Sequence, residues 1–206
     1  MSKFDELVEI AINKGIMGYT ENIKIKILEA IKDLKKIRLQ YLYEDKDLET
    51  KMRLLRNLAV MLKIVGKKAE AEQYVLELFD ISNMENIKEW YPLEYCKARN
   101  CYSQYFKERL DRQILINIEK ENMEMYKKLE SFEGEFFPDF LTAKINIYFL
   151  MEDYNSVVNT LLEIHTNESS RIVDLKKSTI SELASASSEH YNKYLKVINM
   201  ANSLIS

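Results

Sequence analysis

Along residues 54 to 81 the apolar positions keep a spacing of three and four. Leu55, Leu58, Ala59 and Leu62 share one face, Gly66 interrupts, and Ala69, Ala71, Val75 and Leu78 begin a second stripe. This spacing predicts a helix, a turn with a left-handed glycine, and a second helix packed closely through its alanines. Upstream, Phe4, Leu7, Ile10 and Ala11 predict a short helix over 3–14, closed by a turn at Gly15 and Gly18. Thr20 or Asn22 then caps a longer helix to about Tyr43, with Ile23, Ile27, Ile31, Leu34 and Tyr41 down one side. The polar run at 44–47 connects it to the hairpin, which starts near Leu48 and ends in the polar segment after Ile81.

The pattern recurs. Placing Pro92 on Pro138, a step of 46 residues, also brings Tyr91 onto Phe137, Asn100 onto Asn146 and Tyr102 onto Tyr148. Each proline fits the first turn of a helix, where its missing N–H is no loss. In the later copy Tyr148, Asp153, Tyr154, Val157 and Ile164 continue the motif, with Glu152 where Gly66 leads one to expect glycine, 86 residues further on. A break at 107–113 then separates two helices of a middle pair, the second carrying Ile114, Ile118, Met125 and Leu129 inward. Residues 131–136 connect, a helix over about 170–184 follows, and a last one over 189–203 turns Tyr191, Tyr194, Leu195, Ile198 and Ala201 inward. The expectation is an all-α chain with no strand. It forms one domain over 1–206, of about five antiparallel hairpins near 3–43, 47–83, 91–130, 138–167 and 170–205.

Leu55, Ala59, Leu62, Gly66, Ala71 and Leu78 stand at the offsets of a tetratricopeptide repeat, which this stretch resembles. It departs in having Leu55 for the usual tryptophan, Val75 for the aromatic of the second helix, and no closing proline. The resemblance implies a right-handed superhelix with the first helix of each pair lining a concave surface. Residues 47 to 167 further resemble the repeat domain of peptide-pheromone receptors of the Rap and PlcR type, phage arbitrium receptors included. No N-terminal helix-turn-helix or effector domain is recognisable in residues 1 to 45.

Composition supports long helices: four glycines and two prolines in 206 residues leave little material for turns. The net charge of −3 argues against general nucleic-acid affinity. Lys24, Lys26, Lys32, Lys35, Lys36 and Arg38 nevertheless cluster, and are read as a solvated helix face. No apolar run is long enough for a membrane span, and the first residues lack a secretory pattern, so a cytoplasmic location is expected. Cys96 and Cys101, five apart on one helix, point to different faces and are read as small core residues rather than a disulfide.

No catalytic or metal constellation emerges. His165 and His190 are 25 residues apart without ligand partners, and glycine-rich phosphate loops, GxSxG, HExxH and paired CxxC motifs are lacking. The expectation is a non-enzymatic adaptor or regulator without cofactor, whose partner is a peptide or protein segment. On the presumed inner faces lie Arg53, Arg56, Asn57, Val60 and Lys63, then Arg99, Asn100 and Ser103, then Thr142 and Asn146. Asparagine offers a donor and an acceptor to an extended backbone, and arginine can hold a carboxylate at two points. The aromatics from Trp90 to Phe149 are read mainly as packing. The competing expectation is a compact inhibitor or immunity protein acting through its outer surface, dimerising through a face such as Tyr191–Ile198.

Overall fold

Gly66 adopts φ +82, and around it Val65 N donates to Met61 O, Gly66 N to Lys63 O and Lys67 N to Leu62 O. This Schellman-type closure satisfies the last carbonyls of one helix and lets the next start at once, with Ala71 N bonded to Lys67 O. Glu152 repeats it at φ +57: Met151 N donates to Ile147 O, Glu152 N to Phe149 O, Asp153 N to Tyr148 O and Val157 N to Asp153 O. Every bond has its counterpart at the same offset. The sequence step from Gly66 to Glu152 therefore corresponds to a repeated backbone device, carried the second time by a residue with a Cβ.

The computed structural model describes residues 21–41, 48–129 and 132–185. Among these it is all-helical: α1 Glu21–Tyr41, α2 Leu48–Ile64, α3 Lys68–Ser82, α4 Ile87–Trp90, α5 Pro92–Phe106, α6 Arg112–Tyr126, α7 Phe137–Leu150, α8 Tyr154–Glu163 and α9 Ser170–Ser185, with one π-helical turn at Phe132–Phe136. Both prolines sit in the first turn of their helices, α5 and α7. The expected helices over 3–14 and 189–203, with the dimer face Tyr191–Ile198, lie outside the described residues. The chain divides into two compact units between Lys107 and Glu108, inside the stretch expected to be the middle hairpin.

In the first unit α2 packs antiparallel on α3, α1 lies against α2, and α5 against both α2 and α3. Leu55, Leu58, Ala59, Leu62, Ala71, Val75 and Leu78 are all buried, which at about 1.5–3 kcal/mol for each larger side chain is the main cohesion of the hairpin. Ala69, expected on that stripe, is exposed because it falls in the first turn of α3, ahead of the packed face. Ile27, Ile31 and Leu34 of α1 are buried as expected. The basic run is only partly a solvated face. Lys35 bonds Glu70, Arg38 reaches Glu77 at 2.6 Å and lies over the Tyr74 ring, so two of its cations tie α1 to α3.

In the second unit α6 and α8 both lie against α7, and α9 also contacts α7. Ile145, Val157, Val158, Leu161, Ile180 and Leu183 form one cluster, and Leu141, Ile164 and Ile172 another. Ile118 and Met125 of α6 are buried as expected, but Ile114 is exposed. The buried face of α6 is Leu115, Ile116, Ile118, Glu119, Asn122, Met125 and Tyr126, and two polar members disguise it in the sequence. Lys176, in the middle of α9, is likewise buried, donating to the carbonyls of His165 (3.0 Å) and Asn167 (2.9 Å) beyond the end of α8. Its burial pulls the ammonium below the ordinary lysine range, opposed by Glu168.

Candidate functional site: a polar strip on α2 and α5

Three- and four-residue spacing places Arg53, Arg56, Asn57, Val60 and Lys63 beside the buried stripe of α2, so they leave the hairpin core on one side. Opposite them α5 turns Glu94, Lys97, Cys101 and Tyr105. Glu94 is 3% exposed and is the floor of the strip. Its Oε2 accepts from Arg56 Nη1 at 2.6 Å, and its Oε1 from Arg53 Nε at 3.3 Å and Lys97 Nζ at 3.4 Å. A buried carboxylate needs such partners, because an unpaired one would cost several kcal/mol in desolvation. Arg53 also bonds Glu49 one turn earlier on its own helix.

Further along the strip Lys63 lies 5.6 Å from the Tyr105 ring centroid, and the Tyr105 hydroxyl donates to Lys68 O at the start of α3. Cys101, one turn before Tyr105 on α5, feels the charges of Arg56 and Lys63. Burial pushes its thiol up to about 11, against the pull of the Arg56 and Lys63 charges, so it stays protonated and unreactive at neutral pH. Cys96 is fully buried, and both cysteines are free thiols.

The remaining candidates have different surroundings. Arg99 turns toward α3, lying over Phe79 of that helix (5.4 Å) and Tyr95 of its own (5.1 Å), and donates to Asn83 Oδ1 at 3.1 Å. Ser103 is buried, its hydroxyl donating to Asn100 O on the same helix, while Asn57 and Asn100 are half-buried. In the second unit Asn146 donates to Glu119 Oε1 at 3.1 Å, beside the buried Asn122, and Thr142 is exposed with its hydroxyl donating to Pro138 O. The structure thus brings Arg53, Arg56 and Lys63 against α5, leaves Asn57 beside them on α2, and ties Asn146 to a buried carboxylate of its own unit.

Sequence reasoning missed Glu94 and Lys97. The available signal was a lone carboxylate on the otherwise uncharged Glu94–Ala98–Cys101–Tyr105 stripe of α5. Among the aromatics Trp90 departs from the packing expectation. It is 63% exposed, at the end of α4, a four-residue helix too short for its periodicity to be read. Among the described residues no cluster of His, Cys, Asp or Glu could hold a metal, and no helix is long and apolar enough to cross a membrane. No family model matches the chain, and no curated protein matches it significantly.

Proposed function

We propose that this chain is a non-catalytic, tetratricopeptide-like helical-repeat protein that binds an extended peptide or protein segment along the first helices of its hairpins. The observation that carries the reading is the link from Arg53 and Arg56 of α2 to Glu94 of α5. It sets α2 and α5 side by side, with Asn57 and Lys63 along the one and Lys97 and Asn100 along the other. The matching turns at Gly66 and Glu152 support the array, and right-handed superhelical stacking follows from the repeat type rather than from any contact between the units. Half-buried asparagines suit a backbone presented as an extended strand.

The test is to pan a peptide display library against the full chain and map the selected peptides by amide hydrogen exchange. Binders should protect α2 and α5, and the double variant Asn57→Ala/Asn100→Ala should weaken them by about 1–3 kcal/mol. Binders that protect other surfaces and ignore the double variant would replace this reading with that of an inhibitor acting through its outside.

A further inference from the structure

Resting on that reading, we propose that the segment bound on the α2–α5 strip is acidic, with carboxylates at alternating positions seated on Arg53, Arg56, Lys63 and Lys97. Among the described residues four cations meet two carboxylates there, Glu49 and Glu94, in a chain whose net charge is −3. The strip is a local reversal of the molecule's sign, which attracts acidic segments and repels basic ones.

The charges are also graded in depth. Glu94 is 3% exposed, and the side chains of Arg56, Lys97 and Arg53 rise to 21%, 38% and 53%. Glu94 engages only Nη1 of Arg56, and a guanidinium carries five N–H groups. The buried carboxylate therefore holds the arginines in place, and the N–H groups that Glu94 leaves on Arg56, and that Glu94 and Glu49 leave on Arg53, can take a further carboxylate from solvent.

Length fixes the pattern of the partner. Arg53 to Lys63 spans about 15 Å along the helix, which about five extended residues cover. In an extended segment every second side chain faces the same way, so carboxylates at alternating positions meet the strip. A nucleic acid fits less well: the aromatic on the strip, Tyr105, is engaged by Lys63 and by Lys68 O instead of lying open for a base.

The experiment measures fluorescence anisotropy of labelled peptides of about eight residues with the full chain: alternating Glu/Gly, alternating Lys/Gly, alternating Ser/Gly, and oligothymidylate of similar length. The acidic peptide should bind at least about tenfold more tightly than the other three and weaken steeply with added salt. Arg53→Gln and Lys97→Gln, both solvent-facing and checked for unchanged circular dichroism, should each reduce that binding several-fold, with the double variant abolishing the preference. Equal binding of Glu/Gly and Ser/Gly, tighter binding of oligothymidylate, or an acidic preference untouched by the double variant would each overturn the proposal. If library-selected neutral peptides still protect α2 and α5 in that event, the groove survives and only its acidic specificity is lost.

Discussion

The turn at Gly66 and the turn at Glu152 share their hydrogen bonds offset for offset, and Glu94 and Glu119, one in each unit, are 3% and 4% exposed. The chemistry around these matched features differs. The first unit uses glycine in the left-handed position and answers its buried carboxylate with three cations that all keep part of their side chains in solvent. The second accepts a side chain in that position, and the Asn146 amide, inside the unit, is among the partners of its carboxylate. The same backbone thus supports a carboxylate that organises surface charge and one that lies in a core, and this is why the proposed binding strip is placed on the first unit.

The largest test of that contrast is at the carboxylates. Asn146→Asp sets a second carboxylate against Glu119 and should cost about 3 kcal/mol at neutral pH in denaturant titration. The loss should shrink as the pH falls and the pair takes up a proton. Arg56→Ala leaves Glu94 with Arg53 and Lys97, so its cost should stay near about 1–2 kcal/mol. If Arg56→Ala proves the more damaging of the two, the cations around Glu94 are not redundant and none is spare for a ligand.

An intermediate effect is expected one residue beyond each turn. Asp153 caps α8, its carboxylate accepting from Ser156 N at 3.1 Å and Ser156 Oγ at 2.6 Å, whereas Lys67 makes no side-chain cap on α3. Asp153→Ala should lower stability by about 1 kcal/mol, and Lys67→Asp should raise it by up to about as much. The Ser156 hydroxyl and N–H hold the Asp153 carboxyl below its ordinary value. A group depressed in the folded state contributes stability that is fully present above its unfolded pKa of about 3.9 and is lost as pH falls through the lower folded value. Wild type and Asp153→Ala should therefore differ at pH 7 and converge in strong acid.

What the sequence revealed follows from how local each feature is. Gly66, Pro92 and Pro138 could be placed because each is chosen by backbone conformation within one turn, and Glu152 was found by spacing despite its side chain. Glu94 and Glu119 could not be read as buried, since burial of a carboxylate depends on Arg53, Arg56 or Asn146, 27 to 41 residues away. Ile114 misled for the complementary reason. It kept helical spacing with Ile118 and Met125, but the polar Glu119 and Asn122 occupy the packed face, which lies one residue round the helix.

The smallest effects concern the turn residues themselves, and their signs should be opposite. A Cβ at Gly66 meets no atom within 4 Å, so Gly66→Ala introduces no clash and isolates the strain of a side chain at φ +82. That strain is about 1 kcal/mol, and the thermal midpoint should fall accordingly. Glu152 already bears it at φ +57, so Glu152→Gly relieves it, against the greater freedom glycine gives the unfolded chain and the loss of the Arg112–Glu152 pair at 2.8 Å. That pair is exposed on both sides and worth little, so the net gain should be about 0.5 kcal/mol. Glu152→Ala separates the contributions, because it removes the ion pair while keeping the Cβ: it should be neutral or slightly destabilising. A gain in Glu152→Ala as large as in Glu152→Gly would show that the charge, not the left-handed backbone, is what burdens the second turn, and would end its equivalence with the first.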